Sequence, residues 1–464
     1  MSTPAHPTAA SSPPLHVIIL AAGQGSRMKS RLPKVMHPLA GKPLLHHVID
    51  AARALNAGGV HVVVGHGADA VRQATQADDL QWALQEQQLG TGHAVAQALP
   101  QVPDQARVLV LYGDVPLTDI TTLEALTSLV NDETLALLTV NLSDPNGYGR
   151  IIRNDGEVTA IVEQKDANSQ QLLIQEVNSG ILAATAGNLK RWLPALSSEN
   201  AQGEYYLTDI IAMAAGEQMT VAVAQPASPE EVQGINNRAQ LAQLERHYQF
   251  SEAQRLMAAG VSLADPYRLD VRGDLQVGQD VTVDVGCVFE GTVVLGDDVV
   301  IGAHCVVRNS TLGAGTKVEP HSIIDGSQVA GPATIGPFAR LRPGTRLAAG
   351  GKVGNFVETK NAIIGAGSKI SHLSYIGDAE LGEQVNVGAG TITCNYDGVN
   401  KHKTQIGDGT FIGSNTALVA PVTLGKNTTT GAGSTISKDV ADGELAIGRA
   451  RQRNITNWSR PEKK

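Results

Sequence analysis

Four residues near the start of the chain have types and spacing suited to phosphate chemistry. Gly23 and Gly25 follow the apolar segment His16–Leu20, and the cations Arg27 and Lys34 come after them. A glycine turn behind a buried strand lets backbone N–H groups approach phosphates, while Arg and Lys supply positive charge. The third glycine of a dinucleotide-binding fingerprint is missing. Taken alone, a glycine pair is more typical of a plain strand-to-helix turn.

A carboxylate marks the end of another apolar segment, because Asp114 follows Leu111–Gly113. At the carboxyl edge of a parallel sheet, this carboxylate would lie where such folds bind ligands, and it is suited to holding Mg²⁺ against phosphates. The alternative is an Asp that only caps the next helix. A third segment, Gln85–His93, combines an amide with a glycine turn at Gly90 and is suited to reading the edge of a base.

The second half of the chain carries polar residues within a mostly small and aliphatic pattern. Lys360, His372, Tyr375 and Asn386 are the main examples. Histidine is the side chain suited to taking a proton from an amine near neutral pH. A solvent-facing histidine on a repetitive scaffold is usually inert, so its position alone does not make His372 catalytic.

The first half must position its motifs on alternating strands and helices. The strand at His16–Leu20 is followed by apolar segments at 60–64, 108–112 and 135–140, with helix-like stretches at 44–55 and 119–129. This rhythm predicts a doubly wound, Rossmann-like α/β sheet. Between the halves, Ser228–Glu231 is a capping box that starts a short helix, and Gly234 stops it. Asn236 or Asn237 can cap a second helix running to about residue 259, which we interpret as a helical arm.

The second half contains a six-residue repeat from about residue 277 to 440. Each step opens with an aliphatic residue, usually followed by glycine, at Val277, Leu295, Ile301, Leu312, Ile335, Val353, Ile364, Ile376, Leu381, Val387, Ile406, Ile412 and Leu424. Small or branched residues often follow four positions later, at Val281, Val299, Cys305, Thr316, Ala339, Thr391, Thr410 and Thr416. Three steps close a triangular coil, and about ten coils stacked about 4.8 Å apart form a parallel β-helix. Neither a β-sandwich nor unrelated glycine loops explains this spacing.

The repeat is interrupted near Asn309, at 359–363 and most strongly at 393–405. The last segment is polar and is predicted to leave the coil as a loop. Loops extruded from a rigid scaffold are where function usually lies.

Composition excludes several classes of protein. The chain has 464 residues, a net charge of -9, and 3% aromatic residues. The negative charge without a basic patch argues against nucleic acid and anionic membranes as partners. No apolar stretch approaches the roughly 20 residues of a membrane span. The three cysteines form neither a disulfide framework nor a zinc site. Residues 1–14 lack the features of a secretion signal, so we expect a disordered tail and a cytoplasmic protein.

The string from Leu20 to Lys34, which reads LAAGQGSRMKSRLPK, resembles the signature of sugar-nucleotide pyrophosphorylases. Further segments complete the set in the same order: Asn146–Arg150, Glu163–Lys165, Asn178–Gly180 and Gly234–Asn237. From about Leu15 onward the chain resembles the bacterial family of bifunctional N-acetylglucosamine-1-phosphate uridyltransferases and glucosamine-1-phosphate acetyltransferases. Ser26 and Met36 stand where Thr and Leu are commoner, and both changes are mild.

The resemblance implies roles for residues of the first half. The nucleotide and UDP-N-acetylglucosamine contacts would be Leu20, Ala21, Ala22, Gly23, Lys34, Gln85, Gly90, Thr91, Tyr112, Gly113, Asp114, Gly149, Glu163, Asn178 and Asn236. Among these, Gly149, Glu163 and Asn178 match the sugar-phosphate contacts. Asp114 and Asn236 match Mg²⁺ ligands, while Arg27 and Lys34 match the residues that neutralise the triphosphate of UTP. The implied reaction is attack of a sugar 1-phosphate on the α-phosphorus of UTP.

The resemblance also implies a left-handed β-helix and an acetyltransferase site in the second half. His372 matches the general base, and Arg342, Lys360, Tyr375 and Asn386 match the contacts to glucosamine 1-phosphate. Acetyl-CoA contacts would be Ala389, Asn395, Tyr396, Ser414, Ala432 and Arg449. Cys394 is expected to be uninvolved, since direct attack by the amine needs no acyl-cysteine. Solenoid acyltransferases of this kind form trimers, so we expect a homotrimer with the acetyl site between neighbouring copies.

The expected domains are a tail at 1–14, a uridyltransferase domain at 15–235, an arm at 236–262, the β-helix at 263–448 and a C-terminal tail at 449–464. Two alternatives remain open at this stage. One is a monofunctional pyrophosphorylase for another sugar, with a β-helix that serves assembly or regulation. The other is a non-catalytic scaffold, which the presence of Arg27, Lys34, Asp114 and Asn236 argues against.

Overall fold

The computed structural model describes residues 13–463, which divide into two compact units after Tyr248. The tail predicted at residues 1–14 lies outside the described residues except for Pro13 and Pro14. Within the described part of the chain, no helix is both long and apolar enough to cross a membrane.

The first unit is built on one nine-stranded sheet and a small two-stranded one. Its strands are β1 Leu15–Ala21, β2 Pro38–Leu39, β3 Lys42–Pro43, β4 Gly59–Val64, β5 Leu80–Leu84, β6 Arg107–Tyr112, β7 Thr134–Asn141, β8 Arg150–Asn154, β9 Glu157–Val162, β10 Glu176–Thr185 and β11 Thr220–Ala224. Its α-helices are α1 Leu44–Ala54, α2 Ala68–Thr75, α3 Thr91–Ala98, α4 Ile120–Ser128, α5 Ala186–Trp192 and α6 Asp209–Gly216. A further helix, α7 Arg238–Ala258, contains the division between the units.

The strand order of the large sheet is β11-β7-β10-β6-β1-β4-β5, with β8 and β9 as a hairpin attached to β10. Strand β1 is parallel to β4 and β6, as the prediction of a doubly wound sheet requires. Strand β10 runs antiparallel to both β6 and β7. The expected α/β sheet is therefore confirmed, with one reversed strand inside it.

The central strand β1 is apolar on both faces because helices cover both. Val17 and Ile19 belong to the cluster that contains residues of α1, α2 and α4. Ile18 belongs to the opposite cluster, with residues of α3, α5 and α6. Side chains alternate along a strand, so burial on both faces requires the nearly continuous apolar run that the sequence shows.

The second unit is a parallel β-helix. Its strands, β12 to β37 in chain order, are Ser262–Leu263, Leu269–Val277, Thr282–Val283, Cys287–Leu295, Val300–Ile301, Val306–Arg308, Thr311–Leu312, Lys317–Val318, Ile323–Asp325, Gln328–Val329, Thr334–Ile335, Arg340–Leu341, Arg346–Leu347, Lys352–Asn355, Glu358–Ile364, Lys369–His372, Tyr375–Leu381, Asn386–Val387, Ile392–Cys394, Thr404–Ile406, Phe411–Ile412, Ala417–Val419, Val422–Leu424, Thr429–Thr430, Thr435–Ile436 and Leu445–Ala446. One ladder of eleven strands runs β12-β14-β16-β19-β22-β25-β27-β29-β32-β35-β37.

The coils of the β-helix do not keep the strict six-residue period that the sequence predicted. Thr282 pairs with Val300, and Val300 pairs with Lys317, so the second of these coils is shorter than the first by a single residue. The turn between two strands can lose a residue while the inward aliphatic side chains remain stacked, because the ladder aligns strands rather than turns. Predicted inward residues such as Ile301 and Ile335 are fully buried.

The predicted polar loop leaves the coil after β30. Tyr375 on β28 pairs with Ile392 on β30, and Ala379 on the same strand pairs with Thr404 on β31. The residues between β30 and β31 therefore form an insertion above a continuous strand. We call residues 395–403 the extruded loop.

Candidate functional site

A cavity of about 440 Å³ opens in the first unit beside the carboxyl ends of β1, β5 and β6. Ten predicted nucleotide contacts line it: Leu20, Ala21, Ala22, Gly23, Lys34, Gln85, Gly90, Thr91, Tyr112 and Asp114. These residues come from distant segments of the sequence, and the sheet brings their elements to one edge. This is the edge at which open α/β sheets bind ligands.

A buried amide holds the glycine turn at one wall of this cavity. Nε2 of Gln85 donates a hydrogen bond to the carbonyl oxygen of Gly90 at 3.1 Å and lies 3.0 Å from Nδ1 of His93. Gly90 has φ of 114°, and a Cβ there would lie 2.6 Å from the carbonyl oxygen of Tyr205. Only glycine therefore fits at this position.

Lys34 and Asp114 line the other wall of the cavity and belong to a cluster of charged and polar side chains. Nζ of Lys34 contacts the carboxylate of Asp114 and lies 3.2 Å from Oδ1 of Asn236. Arg27 donates to the same Oδ1 at 2.8 Å. The structure thus joins four residues that the sequence separates into three segments.

Neither predicted metal ligand is used to cap a helix. Helix α4 is capped by Asp119, whose carboxylate accepts from the backbone N–H of Thr121 at 2.8 Å. Asn237 accepts from the N–H of Gln240 at 2.9 Å in the first turn of α7. The side chains of Asp114 and Asn236 are therefore turned towards Lys34. A carboxylate and an amide oxygen are suitable Mg²⁺ ligands, with phosphates completing the coordination.

The predicted sugar contacts lie next to this cavity rather than in its lining. Gly149 accepts a backbone hydrogen bond from Asn178 at 2.9 Å. Glu163 accepts from the hydroxyl of Thr208 at 3.1 Å, and burial raises the pKa of the Glu163 carboxyl. Burial also raises the pKa of the Tyr112 phenol, and the negative charges of Glu163 and Asp114 raise it further. Tyr112 therefore lies between a predicted sugar contact, Glu163, and a predicted metal ligand, Asp114.

Three other predicted residues of the first unit are also outside the lining of the cavity. Asn236 contacts the cavity-lining Lys34, and Arg27 is connected to Lys34 only through Asn236. The backbone N–H of Gly113 donates to the carbonyl oxygen of Leu20 at 2.9 Å and so joins β6 to β1 behind the cavity.

In the second unit, the predicted general base has an ordered partner. Nδ1 of His372 lies 2.6 Å from Oδ1 of Asn355, the residue paired with it on the neighbouring coil. An amide oxygen only accepts hydrogen bonds, so Nδ1 carries the proton and Nε2 is the proton acceptor. The side chain of His372 is exposed, so its imidazole is accessible from solvent.

Cations gather on the coils next to His372. The backbone of Arg342 bonds to Thr359, which places Arg342 beside the strand that carries Lys360. Lys401 of the extruded loop lies against Lys360 and, together with Arg342, lowers the pKa of that amine. Arg342 also forms an ion pair with Glu358 at 2.8 Å. Such a cluster of cations suits a phosphate group.

The other two predicted sugar contacts occupy neighbouring strands. Tyr375 pairs with Glu358, the carboxylate partner of Arg342. Asn386 pairs with Lys369, which begins the strand that His372 ends.

The predicted acetyl-CoA contacts occupy one corner of successive coils and the extruded loop. The carbonyl oxygens of Ala389 and Ser414 accept from the next coil at 2.8 and 2.7 Å, and that of Ala432 accepts from the guanidinium of Arg449 at 2.8 Å. In the loop, Asn395 is buried and Tyr396 is 60% exposed. The described residues thus provide a column of small residues on successive coils and an exposed aromatic ring in the loop.

Comparisons with known proteins agree with this architecture. Residues 17–176 match the model of the MobA-like NTP transferase domain, and residues 403–438 match the bacterial transferase hexapeptide repeat. Residues 271–349 match the GMPPB C-terminal domain. The protein named bifunctional protein GlmU from Marinobacter nauticus is 63% identical, covering 97% of this chain and 99% of that protein. Proteins of the same name from Saccharophagus degradans and Pseudomonas putida are 59% and 57% identical, each over 97% of this chain and at least 99% of theirs.

The chain belongs to the GlmU family.

Two solved structures have lower sequence identity to this GlmU-family chain and cover about half of it. A nucleotidyl transferase from Methanothermobacter thermautotroptrophicus is 18% identical over 51% of this chain and 97% of its own, with a TM-score of 0.38. A UDP-glucose pyrophosphorylase is 17% identical over 50% of this chain and 97% of its own, with a TM-score of 0.41.

Sequence reasoning missed several residues at the two sites of this GlmU-family chain. The lining of the first cavity also includes Gln24, Val35, Gln88, Ala94 and Glu204. In the second unit the missed residues are Asn355 and Lys401. Asn355 precedes His372 by a single coil, so the length of a coil was a usable signal. Lys401 gave no such signal, because the course of an inserted loop does not follow the repeat.

Proposed function

We propose that the chain makes UDP-N-acetylglucosamine in two reactions, one in each unit. The second unit transfers an acetyl group from acetyl-CoA to glucosamine 1-phosphate. The first unit then transfers a uridylyl group from UTP to the resulting N-acetylglucosamine 1-phosphate and releases pyrophosphate. This product supplies precursors of peptidoglycan and lipopolysaccharide.

In the uridylyl transfer, a phosphate oxygen of the sugar 1-phosphate attacks the α-phosphorus of UTP. The bond from that phosphorus to pyrophosphate breaks, and no covalent enzyme intermediate is formed. Lys34 and Arg27 neutralise the triphosphate, and the Gly23 turn offers backbone N–H groups to it. Gln85, Gly90 and Thr91 hold the uridine end.

Mg²⁺ fits the donor set of the first unit, since Asp114 supplies a carboxylate oxygen and Asn236 an amide oxygen close to the same Lys34 amine. When bound, the ion neutralises negative charge on the phosphates. Within the described residues, no group of three or more His, Cys, Asp or Glu side chains could hold a metal. A site with two protein oxygens and substrate phosphates agrees with the preference of Mg²⁺.

In the acetyl transfer, Nε2 of His372 takes a proton from the 2-amine of glucosamine 1-phosphate. The amine nitrogen attacks the thioester carbonyl, the carbon–sulfur bond breaks, and coenzyme A leaves. Asn355 holds the imidazole in the tautomer that this step requires. Arg342, Lys360, Tyr375 and Asn386 bind the amino-sugar phosphate, and acetyl-CoA binds along Ala389, Asn395, Tyr396, Ser414, Ala432 and Arg449.

Several finer features belong to the same proposal. The domain limits are those expected from the sequence: 15–235 for uridylyl transfer, 236–262 for the arm and 263–448 for acetyl transfer. The β-helix is left-handed, the protein is a cytoplasmic homotrimer, and acetyl-CoA and UTP are co-substrates. Hexapeptide repeats support assembly into oligomers.

The observation that carries the proposal is that one chain assembles both sets of side chains. The Lys34–Asp114–Asn236 cluster lies in the first unit, and the His372–Asn355 pair lies in the second. A monofunctional pyrophosphorylase would not need the second set, and full-length similarity to bifunctional relatives also disfavours it.

Mass spectrometry tests the proposal directly. The purified protein is mixed with glucosamine 1-phosphate, acetyl-CoA, UTP and Mg²⁺. UDP-N-acetylglucosamine, coenzyme A and pyrophosphate are the expected products. Formation of none of them contradicts the proposal, and a second reaction supplied with N-acetylglucosamine 1-phosphate then shows which unit was misassigned.

A further inference from the structure

Asp378 lies where the extruded loop leaves the β-helix. Its strand pairs with β30 through Tyr375 and with β31 through Ala379, the residue that follows Asp378. The insertion therefore starts above Asp378 and ends above its neighbour. The side chain of Asp378 contacts the base of the loop.

The carboxylate of Asp378 is held from both sides. Nδ2 of Asn361, on the preceding coil, donates to Oδ1 at 2.7 Å, and Nδ2 of Asn395, at the start of the loop, donates to Oδ2. The loop is closed directly beyond this contact, because the backbone N–H of His402 donates to the carbonyl oxygen of Asn395 at 2.8 Å. His402 in turn contacts the carboxylate of Asp397 at 2.8 Å. Asp378 is thus the link between the coil and the closed base of the loop.

Asp378 also carries a negative charge that interacts with two cations of this region, Lys401 of the loop and Lys360. Burial alone would raise the pKa of its carboxyl, but the two asparagine amides and the charges of Lys401 and Lys360 outweigh burial and lower that pKa. Two amines next to each other repel, and the carboxylate offsets that repulsion. Asp378 and Lys401 line one cavity of about 240 Å³ under the loop.

We propose that Asp378 is a positioning residue for acetyl transfer, one that sets the place of the extruded loop and thereby organises both substrate sites. Through Asn395 it fixes the two loop residues assigned to acetyl-CoA, Asn395 and Tyr396. Through its charge it keeps Lys401 beside Lys360, which is assigned to the amino-sugar phosphate. The inference rests on the proposed acetyltransferase activity and adds a residue outside the assigned contacts to either substrate.

The fold itself offers a substitution that removes the side chain without straining the backbone. Asp378 has φ of 47°, in the left-handed region. The same corner on other coils is occupied by Asn361, with φ of 48°, and by the glycines Gly326 and Gly344, with φ of 52° and 84°. Glycine is therefore a natural occupant of this corner, and Asp378→Gly preserves the coil. Asn361→Gly is the matched control, since Asn361 bonds to Asp378 but lies one coil away from the loop.

The experiment measures kcat and KM for acetyl transfer in the full chain, together with uridylyl transfer and the binding of acetyl-CoA by calorimetry. For Asp378→Gly we expect KM for both acetyl-transfer substrates to rise by about tenfold, the effect of losing a charge-assisted hydrogen bond. The dissociation constant of acetyl-CoA rises in parallel, and kcat at saturation changes by less than about threefold because His372 and Asn355 are untouched. Asn361→Gly leaves KM within about twofold, and uridylyl transfer is unchanged in both variants.

The outcomes separate the inference from the function on which it rests. Wild-type protein without acetyl transfer would show that the proposed function is wrong. Active wild-type protein with an unchanged KM in Asp378→Gly would overturn the inference alone. An equal rise in KM for Asn361→Gly would also overturn the inference. The effect would then come from placing glycine at this corner of the β-helix, and not from losing the contact between Asp378 and the loop.

Discussion

Nδ1 of His372 and Oδ1 of Asn355 are 2.6 Å apart across two neighbouring coils of the β-helix. The contact selects one tautomer of the imidazole, in which Nε2 is available to accept a proton. Because the partner lies on a ladder of paired strands, the orientation of the proposed general base is a property of the scaffold.

Replacement of this partner should therefore slow acetyl transfer without weakening substrate binding. For Asn355→Ala we expect kcat to fall by about tenfold or more, since a correctly oriented general base contributes a factor of about 10² to 10⁴. KM should change little. Steady-state measurement of coenzyme A release checks this expectation. Asn355→Asp retains an acceptor for Nδ1 and should keep most of the activity; equal losses in both variants would contradict the role of the contact.

Gly90→Ala should disable nucleotide binding in the first unit. A Cβ at this position would lie 2.6 Å from the carbonyl oxygen and 2.8 Å from the backbone nitrogen of Tyr205, and φ is 114°. The backbone at one wall of the cavity must then move. We expect KM for UTP to rise by at least about tenfold, with acetyl transfer unchanged.

Gly156→Ala is the control for this substitution. Gly156 has φ of 89°, but a Cβ there would meet no atom within 4 Å. It shares a positive φ without the collision, so KM for UTP should remain at the wild-type value. If Gly90→Ala binds UTP normally, the assignment of this cavity to the nucleotide is wrong.

A buried histidine pair should make the first unit sensitive to acid. Nδ1 of His16 lies 3.0 Å from Nε2 of His61, and burial lowers the pKa of both imidazoles below 6.5. Both imidazoles therefore bind protons less readily in the folded state than in the unfolded chain, which gains protons as the pH falls below 6.5. Their contribution to stability is complete above that value and is lost at lower pH, with a slope of at most about 1.4 kcal/mol per pH unit for each histidine.

Thermal unfolding between pH 7 and pH 5 checks this expectation. In the wild-type protein, the unfolding transition of the first unit should move to lower temperature as the pH falls. In His61→Gln, which has an amide that does not titrate in this range, the decrease should be smaller. An identical decrease in both proteins would show that other groups control acid stability.

The sequence pattern predicted most of the elements that carry the first site. The strand expected at His16–Leu20 is observed at Leu15–Ala21, and the helix expected at 44–55 is observed at Leu44–Ala54. Continuous apolar segments and glycine turns are local signals, so they locate elements well. The reversed direction of β10 was not predicted, because no local signal states which strand a segment pairs with or in which direction.

The repeat predicted which residues face inward, but it did not predict the contacts between coils. Val281 and Thr316 are fully buried as expected. Coils that are shorter than three full steps of the repeat shift the register, and this register decides that Asn355 meets His372. The contact between Asp378 and the extruded loop could not be predicted from the sequence, because it depends on where the chain returns to the β-helix after the loop.

The central claim, two independent reactions on one chain, is tested most directly by assaying both reactions in Asp114→Ala and His372→Ala. Each variant must first show wild-type folding by circular dichroism. We expect Asp114→Ala to lose uridylyl transfer and keep acetyl transfer, and His372→Ala to do the reverse, each loss being at least about 10²-fold. If either substitution leaves its own reaction intact, or abolishes both reactions in a folded protein, the assignment of two separate sites is contradicted.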